Sequence, residues 1–98
     1  MSVAAGSGME GLTDGPASSA AFSSPKGVAV GDDGTIYVSD TGNSAVRQVK
    51  NGEVTTLAVR DTTKLESYPV SPVGLLVRGR QLYICDNFSR KLFVLQVG

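Results

Sequence analysis

The sequence predicts an all-β fold built from two repeats of one four-stranded antiparallel unit, and three observations carry that prediction. Short β-branched runs alternate with Gly, Asp and Asn turns throughout, and no window holds the apolar spacing of a helix. Strand-like segments recur: Pro72 follows Pro25 by 47 residues (72 − 25), and Tyr83 follows Tyr37 by 46 (83 − 37). The second strand of each unit, Ile36, Tyr37, Val38 in one and Leu82, Tyr83, Ile84, Cys85 in the other, is apolar at consecutive positions. Because successive side chains of a strand point to opposite faces, such a strand needs cover on both sides.

The elements follow in order. Gly27, Val28, Ala29 and Val30 make a first strand, closed by Asp32, Asp33 and Gly34. Asp-Gly between two strand-like runs is a strong hairpin signal, since Gly accepts the positive φ of a primed turn. Residues 35–39 make the second strand, and Asp40, Thr41, Gly42 and Asn43 turn the chain into a third at 45–49. Asn51 and Gly52 turn it again, into a fourth strand at 54–58. The second unit repeats the pattern with strands at 72–77, 82–86 and 92–95, and the one-residue difference in offset falls in the shorter turn Arg78, Gly79, Arg80. A period in the mid-forties with four short strands per unit is the pattern of radially stacked propeller blades.

Composition narrows the chemistry. The 98 residues, 41% hydrophobic and 18% charged, describe one small domain. Nine Lys and Arg against nine Asp and Glu leave no net positive charge to draw phosphate, so neither nucleic acid nor a membrane surface is an expected partner. No apolar stretch approaches the ~20 residues of a spanning helix, and the start of the chain lacks the basic and apolar regions of a signal peptide. The compartment is left open. A single cysteine, Cys85, rules out an internal disulfide, and the absence of His removes the commonest general base and metal ligand. An apolar strand around Cys85 makes it a small core side chain.

Against this background the residues resemble the NHL-repeat family of β-propellers. Gly11, Leu12, Thr13, Asp14, Gly15 and Pro16, then Ala21 and Phe22, then Pro25 to Val30, Ile36 to Asn43, Val46, Arg47 and Val54 to Ala58 follow the family pattern across almost one whole repeat. The second unit is looser, keeping Pro72, Gly74, Tyr83 and Asp86 but carrying Asn87, Phe88, Ser89 in place of the Thr-Gly-Asn turn. The resemblance implies that residues 1–8 are an outer strand completing a neighbouring blade, that 9–59 form the first blade, and that 60–98 form a second blade lacking its own outer strand. Propellers of this family commonly have six blades, so two per chain imply a homo-oligomer, a trimer, closing one ring. In that ring Val3, Ala4 and Ala5 of one copy would lie along Leu92 and Val94 of the next.

The functional expectations are correspondingly modest. Asp40 and Asp86 occupy equivalent positions after the second strand, where a carboxylate accepts backbone N–H bonds of a turn. Together with Asn43, Asn87 and Arg90 they are candidate residues for facing a partner, either an unknown protein or a small ligand. Asp32 and Asp33 precede Gly34 as ordinary turn residues and fall short of the six or more oxygens calcium needs. Asn87, Phe88, Ser89 satisfies a glycosylation sequon by coincidence. No catalytic residue, metal or cofactor is expected. The chain reads as a non-catalytic scaffold or interaction module that associates with itself, the alternatives being a piece of a lactonase- or lyase-like propeller enzyme or of an RNA-binding NHL propeller.

Overall fold

The computed structural model describes residues 2–59, 71–88 and 90–97, so the expected start of the second blade at 60, and the third residue of the sequon, lie outside them. Eight strands are present: β1 (Gly15–Pro16), β2 (Pro25–Val30), β3 (Ile36–Asp40), β4 (Ala45–Lys50), β5 (Glu53–Val59), β6 (Pro72–Arg78), β7 (Gln81–Asp86) and β8 (Lys91–Gln96). They form two antiparallel sheets, ordered β1-β5-β4-β3-β2 and β6-β7-β8. The repeat extends to its irregularities, since a register shift falls between Pro25 and Gly27 in one sheet and between Pro72 and Gly74 in the other. At the β4–β5 hairpin, Asn51 (φ 53) and Gly52 (φ 75) are both left-handed, as the two central residues of a type I′ turn must be.

The two sheets pack face to face. Tyr37 and Val46 of the first meet Leu82, Ile84 and Val97 of the second, with Leu57, Leu75, Val77, Phe93 and Leu95 around them. Each such aliphatic side chain taken from water stabilises by roughly 1.5–3 kcal/mol. Hydrogen bonds fix the sliding position. The Ser39 hydroxyl donates to the Val73 carbonyl at 2.7 Å, and the Thr41 hydroxyl donates to the Pro72 carbonyl. A second cluster, Ala20, Val49 and Val54 with Ala5, Phe22 and Ile36, lies on the far face of the first sheet under residues that precede β2.

Tyr37, 4% exposed between the sheets, has its phenol pushed above the ordinary value of 10.0 by burial and, secondarily, by the charge of Asp33. A raised folded value means the neutral form is favoured in the fold, so its contribution is intact below pH 10 and fades as pH climbs through the folded value. Tyr37→Phe should therefore lose less stability than the parent as pH rises above about 10. Thermal melts across that window check it, and identical alkaline limbs would show that another group governs them.

Two features stand outside the seven principal strands. Residues 2–8 form no strand within the chain. The Gly6 and Ser7 N–H groups donate to the Ala17 and Ala20 carbonyls, each at 2.8 Å, and positive φ at Gly6 (111) and Gly8 (89) turns the chain off an extended path. The first sheet also has a fifth strand: Gly15 pairs with Val54 and Pro16 with Glu53. Gly-Pro reads as a break, and it enters a ladder here only as a two-residue edge.

Candidate functional site

The most highly connected side chain belongs to β4. Arg47 is completely buried, and a guanidinium can be buried only where its donors and its charge are matched. Its Nη1 donates to Asp40 Oδ2 and to the Ala21 carbonyl, both at 2.8 Å. Its Nη2 donates to the Thr13 carbonyl at 2.8 Å and to Asp14 Oδ1 at 2.9 Å. The Phe22 ring covers it, 4.8 Å from ring centre to guanidinium carbon. Nε alone is buried without a partner.

Asp40, also wholly buried, spends both oxygens. Oδ1 accepts the Ser23 N–H at 2.6 Å, and Oδ2 accepts Asn43 Nδ2 at 2.7 Å beside Arg47. Asn43 also donates to the Gly11 carbonyl at 2.9 Å, Ser23 Oγ donates to Glu10 Oε1 at 2.8 Å, and Thr56 Oγ1 donates to Asp14 at 2.8 Å. These bonds tie residues 10–23 across the first sheet. With both Asp40 oxygens and the guanidinium ends bonded, the cluster ties the segment before β2 to the first sheet.

The five residues expected to face a partner divide. Asp40 and Asp86 turn inward, 0% and 1% exposed, because each clamps a chain entering its blade: Asp86 Oδ1 accepts the Ser71 N–H at 2.6 Å, as Asp40 does that of Ser23. Each does accept a backbone N–H, but from a segment 15 to 17 residues earlier; Asp40 makes no side-chain bond capping the turn it opens, so its expected turn-capping is corrected, as is the partner-facing role of both. Asn43 is half-buried in the same clamp. Asn87 and Arg90 are exposed, their N–H groups donating to the Ser71 and Asp86 carbonyls. Asp33, exposed beside Asp32, accepts the Thr35 N–H at 3.0 Å, a bond that holds its carboxyl below the usual range. No group of three or more His, Cys, Asp or Glu among the described residues is placed to hold a metal.

Both outward sheet faces are apolar. On the second sheet Leu76, Leu92 and Val94 are each more than half exposed, with Tyr83 and Gly74 between them. Cys85 shares this face and is exposed, which corrects its expected burial: its strand is apolar on both sides, but only one side has a neighbour. On the first sheet Val28 and Val30 are each 63% exposed, above half-buried Ile36 and Val38. Ala4 and Ala5 flank that face, and Val3 is exposed beside them. Val3, Ala4 and Ala5 thus lie beside the first sheet and Leu92 and Val94 on the second, and the pairing expected between them is one between two copies.

Two antiparallel meanders that share a bulge, a carboxylate clamp and a turn plan, stacked through their faces, define a pair of β-propeller blades. The NHL-repeat model matches residues 22–49, from the ring that covers Arg47 to the end of β4. Among solved structures, a structural genomics protein of unknown function from Bacteroides thetaiotaomicron VPI-5482 is similar at a TM-score of 0.81 with 23% identity, over 94% of this chain and 26% of that one. That likeness shows the fold, and this chain spans about a quarter of its length. No curated protein matches.

Proposed function

We propose that the chain is a self-assembling β-propeller segment, a non-catalytic scaffold whose blades stack on further blades and whose loops are left to meet a protein or small ligand. One observation carries the reading: both end faces of the two-sheet stack are apolar and open, with Val28 and Val30 on one and Leu76, Leu92 and Val94 on the other. Contiguous apolar surface of this kind marks an association site. The non-catalytic part is supported by the engagement of Asp14, Asp40 and Asp86 in backbone and arginine contacts and by a sequence without His. Faces at opposite ends of one unit form head-to-tail contacts, which close into a ring when the rotation permits. Three copies would supply six blades. Light scattering at tens of micromolar should give a multiple of the chain mass, with three favoured. A single chain mass there, with a cooperative melt, overturns the reading.

A further inference from the structure

Among the described residues no close contact requires Gly74 to be glycine. A Cβ built on it meets nothing nearer than the Cys85 Cβ at 3.5 Å, an ordinary contact, and its φ is not in the left-handed region. Its repeat equivalent Gly27 is different. A Cβ there would overlap the Val73 carbonyl oxygen and lie 2.8 Å from Ser39 Oγ, because β6 crosses the first sheet directly over it. Gly27 is the floor of a seat for the next blade's first strand. Ser39 and Thr41 are its donors, bonding the Val73 and Pro72 carbonyls.

The second sheet carries the same seat, with no strand over it among the described residues. At the repeat offsets, Gly74 stands for Gly27, Cys85 for Ser39, Asn87 for Thr41, and Tyr83 for Tyr37. The strand that fills the occupied seat, β6, reads Pro-Val-Gly-Leu-Leu-Val and turns Leu75 and Val77 into the core. Its equivalent, β2, reads Pro-Lys-Gly-Val-Ala-Val, and the residues that match Leu75 and Val77 are Val28 and Val30, both exposed.

The geometry points to the β2 strand of a second copy as the occupant of the Gly74 seat, with its Lys26 carbonyl over Gly74 and its Val28 and Val30 against Tyr83 and the Cys85 strand. This deepens the proposed function, on which it rests, by naming the two surfaces and their register. Charge agrees: residues 1–49 carry two Lys or Arg against five Asp or Glu, and 50–98 carry seven against four. A head-to-tail junction brings opposite signs together, which favours encounter in that orientation.

Two variants and their mixture test it. Gly74→Val blocks the seat and Val28→Asp spoils the strand, and neither touches the contact between the sheets of one chain. Each alone should sediment as a single chain with an unchanged β circular-dichroism spectrum, at concentrations where the parent associates. Mixed in equal amounts, they should form a dimer, because the Gly74 seat of the Val28→Asp chain and the β2 strand of the Gly74→Val chain remain intact. An associating parent whose Gly74→Val variant keeps its mass, or a mixture that stays monomeric, overturns this register and leaves self-association standing. A parent that is monomeric throughout overturns both.

Discussion

Replacing Arg47 by methionine is expected to cost about 3–5 kcal/mol, the usual result of removing one partner from a buried ion pair. Methionine keeps an unbranched apolar stem, so most of the loss comes from the guanidinium, its charge and its hydrogen bonds. Asp40 would be left fully buried beside Asn43 with no cation, and the Ala21 and Thr13 carbonyls would each lose one of their donors. Adding Asp40→Asn should recover part of the loss, because a neutral amide can still accept the Ser23 N–H while no longer holding an orphaned charge. Urea denaturation of the two single variants and the double variant measures the coupling. A loss for Arg47→Met below about 1 kcal/mol would place the pair among exposed salt bridges and contradict its burial.

Gly27→Ala should be comparably damaging for a different reason. The added methyl meets backbone, not the movable end of a side chain, so β6 must withdraw from the first sheet along with the Ser39 bond to Val73. Overpacking of a closed contact costs about 1–3 kcal/mol where neighbours can yield, and here the neighbour is a strand held in its own ladder, so a loss at or above the top of that range is expected. At concentrations where the protein is a single chain Gly74→Ala is the matched control, with room for the methyl at 3.5 Å. Equal denaturation midpoints for the Gly27 and Gly74 variants would show that the two sheets separate without cost.

What could be read beforehand divides along physical lines. Strand positions and the repeat were legible because Asp-Gly and Asn-Gly turns and consecutive β-branched residues are local signals, and the seven principal strands fall where those signals lie. The carboxylates at 40 and 86 were legible as acceptors of backbone N–H groups, but their burial was not, since the Ser23 and Ser71 donors come from outside the turn. Arg47 was quoted only as part of a family pattern. A sharper signal was present: it shares a strand face with Val49, lies opposite Val38, and has Phe93 at its repeat position, so a charge there needed a buried partner. The exposure of Cys85 could not be read, because the apolar pattern of a strand states that cover is needed and says nothing about which chain supplies it. β1 was hidden by its own Gly-Pro composition.

The clasp around Arg47 also sets an order of events during synthesis. Every other strand pairs with its neighbour in sequence, so those hairpins close within microseconds once both arms are available. The segment from Glu10 to Phe22 closes on itself only through isolated bridges, Thr13 to Ala21 and Glu10 to Phe22, and its anchors in the sheet are Asn43, Arg47, Val54 and Thr56. On the ribosome this segment must therefore wait, its apolar residues uncovered, until β5 has emerged, and the part of the blade that is translated first is the last of it to settle.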